Sequence, residues 1–528
     1  MKKEYVVMRS NELRDREMKE VLAGDMPILV IRVEGKYYAF AARCPHRGGP
    51  LAEGVLSEDR VVCPWHQGSF RIPSGDLEEP PPLDSLPGFE VRVEDGAVIV
   101  VISEGKADRR EIAMVRRNDE ADNRHFVIIG SGAAGGVSAE ALRQVGFEGR
   151  ITMVTRENDF PYDRTGLSKG YLKGLDPEGK LLPLRADTFY AEHDIDILFN
   201  KRVLNVDVSR KIIAVGDGST LPYDSLLVAA GGVPRHLDVP GSGLRNIFTF
   251  RSLQDANGVI ATAEKSSSVV VIGASFIGME TAANLRERGL SVTVVAPSVA
   301  FKRAFGEKIG RILQQLHGEH GVTFESGRKV ARFEGEGKVE AVLLDNGERL
   351  ECDFVVLGIG VRPATGFLDG ISLNPDGSVP VNEYFEVQEG LYAAGDIVSF
   401  IDWRTGGRIR IEHWRSAQQQ GRIAAHNMVG HKTKFRSIPF FWTAQFGVLL
   451  QYVGHATDWD EIVLHGQPSE YNFMAFYIKD DVVLAALGCE HSRDLAAAAE
   501  LMRLDRMPNP TELRRLSLDL VDYLNGKK

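Results

Sequence analysis

Short apolar runs dominate the first hundred positions. MPILVIRV, KYYAFAA, DRVVCPW and FEVRVEDGAVIVVI are rich in β-branched and aromatic residues, and Gly, Pro and Asp separate them. Runs of this length between turn residues predict a small all-β domain over residues 1–104. A charged stretch follows, SEGKADRREIAMVRRNDEADNR, with little that could form a core. It reads as a solvated linker over residues 105–124.

Beyond it the pattern changes to apolar strand, glycine-rich turn and helix. HFVIIGSGAAGGVSAEALRQVG opens this half, and SSVVVIGASFIGMETAANLRERGLSVTVVA repeats the design near its middle. Two such βαβ units predict two α/β dinucleotide-binding domains of Rossmann type, each a parallel sheet flanked by helices. The first is expected in two pieces, 125–245 and 367–432, around the second at 246–366. Residues 433–528 mix aromatic strands with the helical segment SRDLAAAAELMRL and are expected to form an α+β domain packed on the other two.

Composition adds limits. A chain of 528 residues is long enough for three or four domains, and 43% hydrophobic with 26% charged residues is ordinary globular usage. The net charge of −10 and a pI near 5.8 exclude the basic surface that nucleic acid requires. No run approaches a membrane span, and the amino terminus lacks the apolar stretch of a secretory signal. Four cysteines are too few for a disulfide framework. A cytoplasmic protein with reduced thiols is expected, as monomer or homodimer.

Cys44 and His46 stand one residue apart in CPHRGGPL, and Cys63 and His66 two apart in CPWHQGSF. Two loops that each bring one thiolate and one imidazole supply the ligands of a Rieske [2Fe–2S] centre, with two thiolates on one iron and two imidazoles on the other. A zinc finger uses the same residue types, but pairs Cys with Cys and His with His along the chain.

Gly130, Gly132 and Gly135 follow the strand HFVII and precede a helix, the context in which G-x-G-x-x-G holds a dinucleotide pyrophosphate. The next strand, RITMVT, ends before Glu157, a candidate for ribose hydroxyls, or plainly a solvated loop acid. The second turn reads Gly273, Ser275, Gly278, with serine in place of the glycine that permits the closest approach to pyrophosphate.

FPYDRTGLSKGYL, LLVAAGGVPR, LGIGVRP, LYAAGDI and IEHWRSAQQQGRIAA together resemble the FAD-dependent ferredoxin reductases of bacterial oxygenase systems and the related apoptosis-inducing-factor-like flavoproteins. With the Rieske segment in front, the chain resembles the Rieske-bearing members of the latter group. The resemblance implies that Asp396 holds the flavin ribityl chain and that Arg164 and Lys169 contact the flavin. It places Trp414 and Glu280 beside the nicotinamide, and Val203, Arg235 and Gly360 among the dinucleotide contacts. Lys169, Glu280 and Trp414 are the expected catalytic set.

One departure concerns the nicotinamide donor. The strand SVTVV is followed by Ala296 and Pro297, where an NADH-preferring member usually has an acid, and Lys302 and Arg303 come soon after. The resemblance favours NADH and leaves NADPH open. A nicotinamide yields two electrons at once and a Rieske cluster takes one, so a flavin between them follows from the chemistry. The chain is therefore expected to pass electrons from NAD(P)H through FAD to its cluster, and on to an acceptor such as an oxygenase component. The other two readings are a redox sensor whose reduced flavin changes its assembly, and a peroxide-forming oxidase. Intact cluster ligands count against the second of these.

In respiratory Rieske proteins extra cysteines form a disulfide, and a Ser and a Tyr donate to the sulfurs. The matching positions here are Gly49, Trp65, Gly68 and Phe70, none of which donates such a bond. A redox titration of the cluster is expected to give a potential near the low end for such centres, on the order of −150 mV.

Overall fold

A computed structural model describes residues 2–103, 109–174, 183–515 and 519–526. The first domain is built on a six-stranded antiparallel sheet, in the order Lys2–Arg9, Ala97–Ser103, Gly88–Glu94, Lys36–Ala41, Met26–Val33, Glu17–Ala23. The centre of the strand Met26–Val33, Ile28–Ile31, is apolar and buried because both its faces are covered. Leu29 and Ile31 join the cluster of Cys44, Cys63 and Phe70, whereas Ile28 and Val30 join that of Val98 and Val100. A smaller sheet, Val55–Ser57 to Leu77–Glu79, carries the second Cys–His loop.

The first α/β domain has parallel strands Ile195–Leu198, Arg150–Val154, His125–Ile129, Ser225–Val228 and Leu391–Ala393, edged by the antiparallel Glu386–Gln388. The helices Ala133–Gln144 and Trp414–Met428 pack on each other. The second is a parallel sheet in the order Ile247–Thr249, Phe354–Leu357, Ser268–Ile272, Ser291–Ala296, Val322–Ser326. Among the described residues no helix is long and apolar enough to cross a membrane.

The last domain is an antiparallel sheet, in the order Phe440–Gln445, Val448–Gly454, Val482–Cys489, Asn472–Lys479, Glu461–Gln467, with the helix Ser492–Arg503 against it. Its two faces belong to different cores. On Val482–Cys489, Ala485, Leu487 and Cys489 pack with Val292 and Phe354 of the second α/β domain. Val483 and Ala486 pack instead with the helix and with Val55 and Val62 of the first domain.

Buried arginines complete that junction. Arg60 pairs with Glu500 across 440 positions of sequence, and Arg503 joins Glu500 at 2.9 Å. Arg185 bridges Asp84 and Glu140 at 2.7 and 2.6 Å. Arg415 donates to three backbone carbonyls, those of Gln67, Pro80 and Ile438.

The expected solvated linker is different in its described part. Arg110 and Ser85 exchange backbone hydrogen bonds, Val115 and Asn118 donate to the carbonyls of Arg143 and Glu148, and Met114 packs on the flavin-side core. The charges that suggested a tether instead bond to the neighbouring domain, as Arg110 does to Asp76. Residues 104–108 lie outside the described residues.

Removing one partner of a buried ion pair strands the other, at a cost of about 3–5 kcal/mol. Glu500→Leu is thus expected to loosen the first domain from the last, seen as a larger radius of gyration in small-angle scattering.

Candidate redox centre and dinucleotide cleft

The two cluster loops are built alike. Cys44 donates its N–H to Gly49 O and accepts at its own carbonyl from Gly48; Cys63 does the same with Gly68 and Gln67. Each turn folds its backbone N–H groups around a sulfur, those of His46 and Arg47 toward Cys44, and of Trp65 and His66 toward Cys63. The two thiols are buried and face each other. The two imidazoles meet edge to face, with centroids 4.8 Å apart.

Burial pushes His46 down to about 4 and His66 to about 3, which keeps both in the neutral form that binds metal. The His46 Nδ1 is buried with no hydrogen-bond partner among the described residues. Thiol thus sits by thiol and imidazole by imidazole. The donor set fits a [2Fe–2S] cluster.

A cleft of about 1320 Å³ runs between the two α/β domains and the last domain. Its two glycine turns repeat one geometry. Gly130 and Gly273 take φ of +103° and +106°, and a Cβ at either would strike the carbonyl of Ala229 or Gly358 on the next strand. Gly132 and Ser275 stand at the helix N-termini and line the cleft. The third glycines, Gly135 and Gly278, do not reach it; a Cβ there would strike the carbonyl of the first glycine, so they serve helix–strand packing.

Glu157 is no solvated loop acid. It accepts from Arg164 Nη2 and from the Tyr162 hydroxyl, each at 2.7 Å. Burial alone would raise its carboxyl, but Arg164 and Tyr162 outweigh that and hold it below its ordinary value. Asp396 lines the cleft and accepts from Arg251 Nη2 at 2.5 Å. Burial, with Asp396 nearby, raises the neighbouring Glu412 carboxyl. Val203, Gly360, Trp414, Lys302 and Arg303 also line the cleft. Arg235 does not: its side chain donates to Val361 O and its N–H to Gly360 O, bracing that turn from outside.

Lys169 Nζ donates to Glu280 Oε2 at 2.9 Å and to Thr165 O at 3.3 Å. Glu280, on the helix Phe276–Glu287, is only 2% accessible. It also accepts from Ser168 Oγ and, on its other oxygen, from Thr443 Oγ1 at 2.7 Å. Behind Thr443 the chain of donors continues. Gln445 Nε2 donates to Thr443 Oγ1 at 3.0 Å, and the buried His317 Nε2 lies 2.8 Å from Gln445 Oε1. Burial lowers His317 to about 4, so it is the neutral ring that meets this amide.

Sequence reasoning missed Arg251, Thr443, Gln445, His317 and Trp442. FWTAQ repeats polar residues on one side of a strand, the one signal that could have marked Thr443 and Gln445. Trp442 joins the two centres: it lines the cleft, and its ring meets His66 edge-on with centroids 4.3 Å apart. Gln451 Nε2 donates to Pro64 O and so holds that loop in place.

Residues 124–421 match the pyridine nucleotide-disulphide oxidoreductase family, residues 3–90 the Rieske [2Fe-2S] domain and residues 440–524 the reductase C-terminal family. The chain belongs to the pyridine nucleotide-disulphide oxidoreductases, as a form that carries its own Rieske domain, and is an FAD-dependent NAD(P)H oxidoreductase. Its relatives narrow this further. Apoptosis-inducing factor 3 of Homo sapiens is 38% identical over 99% of this chain and 88% of that protein. The ferredoxin reductase component of chlorobenzene dioxygenase from Cupriavidus sp. (strain PS12) is 33% identical over 76% of this chain and 98% of its own. The covalent putidaredoxin reductase–putidaredoxin complex covers 77% of this chain and 99% of its own, at 30% identity and a TM-score of 0.72.

Thr443→Val leaves Glu280 Oε1 and Gln445 Nε2 without their shared hydroxyl, at a cost of about 1–3 kcal/mol for each buried group. Thermal unfolding is expected at a lower temperature for Thr443→Val, and near the parent value for Thr443→Ser.

Proposed function

We propose that this protein draws electrons from NAD(P)H into its own Rieske cluster within one chain, and delivers them to a separate acceptor protein such as an oxygenase component. The observation that carries the reading is the contact of His66 with Trp442, because Trp442 also lines the dinucleotide cleft. Bound in that cleft, FAD supplies the conversion of a two-electron hydride donor into single electrons that a [2Fe–2S] cluster can accept.

The chain's residues divide that work. Gly130 and Gly132 admit the FAD pyrophosphate to a helix N-terminus, whose unpaired N–H groups favour an anion. Glu157, already ionised by Arg164, accepts from ribose hydroxyls, and Asp396, anchored by Arg251, holds the ribityl chain. Gly273 and Ser275 receive the nicotinamide dinucleotide. Lys169 stands by the flavin as a fixed cation, and Glu280 positions it. Trp414, at the start of its helix, frames the nicotinamide.

Cys44 and Cys63 take one iron, and His46 and His66 the other. His66 meets Trp442, and the neighbouring Trp65 of the same loop is 39% exposed, which offers an exit toward the acceptor. The two cysteines outside the cluster loops, Cys352 and Cys489, are free thiols, which suits a reducing compartment such as the cytoplasm.

Anaerobic stopped-flow reduction tests the route. Flavin bleaching followed by cluster reduction within the turnover time is expected. Trp442→Ala is expected to slow the second phase and leave the first. A long-lived reduced flavin beside an oxidised cluster in the parent protein would overturn the reading in favour of a sensor.

A further inference from the structure

The strand Ser291–Ala296 ends in the wall of the cleft, and Ala296, Pro297 and Ser298 all line it. In a dinucleotide-binding sheet this strand end is where a carboxylate accepts from the ribose 2′-hydroxyl, and where the same carboxylate would repel a 2′-phosphate. Here the lining from Ala296 to Ala304 contains two cations and no acid among the described residues. The nearest carboxylate on the adjoining strand, Glu325, pairs in register with Val295 and lies outside the lining.

The loop that carries the cations is held in place. Phe301 takes a left-handed φ of +54° and donates its N–H to Ala274 O at 2.9 Å. Its ring is buried against Phe276 and Phe305. Ala274 belongs to the Gly273–Gly278 turn, so this bond fastens the loop to the turn that receives the dinucleotide. Lys302 and Arg303 follow at once, both exposed and both lining the cleft.

Neither cation is held by a buried partner. Lys302 pairs with Glu307 at 2.9 Å, with both groups about half exposed, and Glu307 is also held by Arg311. An exposed pair of this kind contributes little. Arg303 has no hydrogen bond or ion pair to any described residue. A guanidinium binds phosphate oxygens in a fork, and a phosphomonoester near neutral pH carries close to two negative charges. Ser298 adds a hydroxyl at the same strand end.

We propose that Arg303 and Lys302 recognise the 2′-phosphate of NADPH, so that the protein prefers NADPH to the NADH that its family resemblance favours. The inference rests on the reading of the cleft as an NAD(P)H site and names which of the two donors it takes.

The test uses the holoprotein with 2′,5′-ADP and 5′-ADP as probes, followed by calorimetry, and NADPH and NADH in anaerobic flavin reduction. The 2′-phosphate is expected to tighten binding by about ten- to a hundredfold, the worth of about one hydrogen bond to a charged group. NADPH is expected to show the larger kcat/KM. Arg303→Ala and Lys302→Ala, with flavin and cluster spectra unchanged, are expected to collapse that ratio toward one, and Ala296→Glu to reverse it. Equal binding of the two probes, or a larger kcat/KM for NADH in the parent protein, overturns the proposal. If neither dinucleotide reduces the flavin, the cleft reading fails, and the two probes still decide the question of the 2′-phosphate.

Discussion

The five-stranded sheet of the last domain is buried on both faces, and the placing of the second α/β domain and of the Rieske side depends on that burial. Strands alternate their side chains between faces, so a sheet covered twice must offer apolar residues in both directions. Leu487 and Cys489 satisfy the second α/β domain while Val483 and Ala486 satisfy the helix and the Rieske side. Trp442 and Thr443, adjacent on the strand Phe440–Gln445, divide in the same way. One ring meets His66 of the cluster loop, and one hydroxyl meets Glu280 of the cleft. A single strand thereby fixes the distance between two cofactor sites that lie far apart in sequence.

Polar groups set the orientation that apolar burial leaves open. Arg415 closes on three carbonyls from two domains, and Arg60, Glu500 and Arg503 form a buried network beside it. Such charges add little net stability over apolar packing of equal volume, yet they tolerate few alternative dockings, because each wrong one strands a charge. The donors converging on Glu280 act in the same way. Ser168, Lys169 and Thr443 all point at its carboxylate, and the residues behind Thr443 leave its proton no other direction.

The two Cys–His pairs and both glycine turns were legible in the sequence because their spacing is local. Cys44 and His46 act over a spacing of one residue, and the turns act through backbone shape within half a dozen. The division into an all-β domain, two interleaved α/β domains and a terminal sheet followed from changes of hydrophobic period. What stayed hidden is what the fold brings together from a distance. Arg251 reaches Asp396 across 145 positions and Thr443 reaches Glu280 across 163, and no periodicity encodes either. The segment before His125 was misread because charged residues on a strap look like charged residues on a tether until their carbonyl partners are known. Arg235 misled for the opposite reason: it stands in a motif that touches the cleft, but its side chain turns outward.

The latch between the first and last domains has a kinetic meaning. In a system of separate proteins, an electron carrier must collide with its reductase, and the rate follows both concentrations and the salt that screens their encounter. Here His66 already rests on Trp442, held by buried groups that salt screens poorly. The encounter is replaced by a standing contact, as a tether does in principle and a packed interface does more completely. Transfer to the cluster then becomes first-order in the protein, and the capacity to respond to supply passes to the one collision that remains, between the cluster's outer face and whatever takes its electrons.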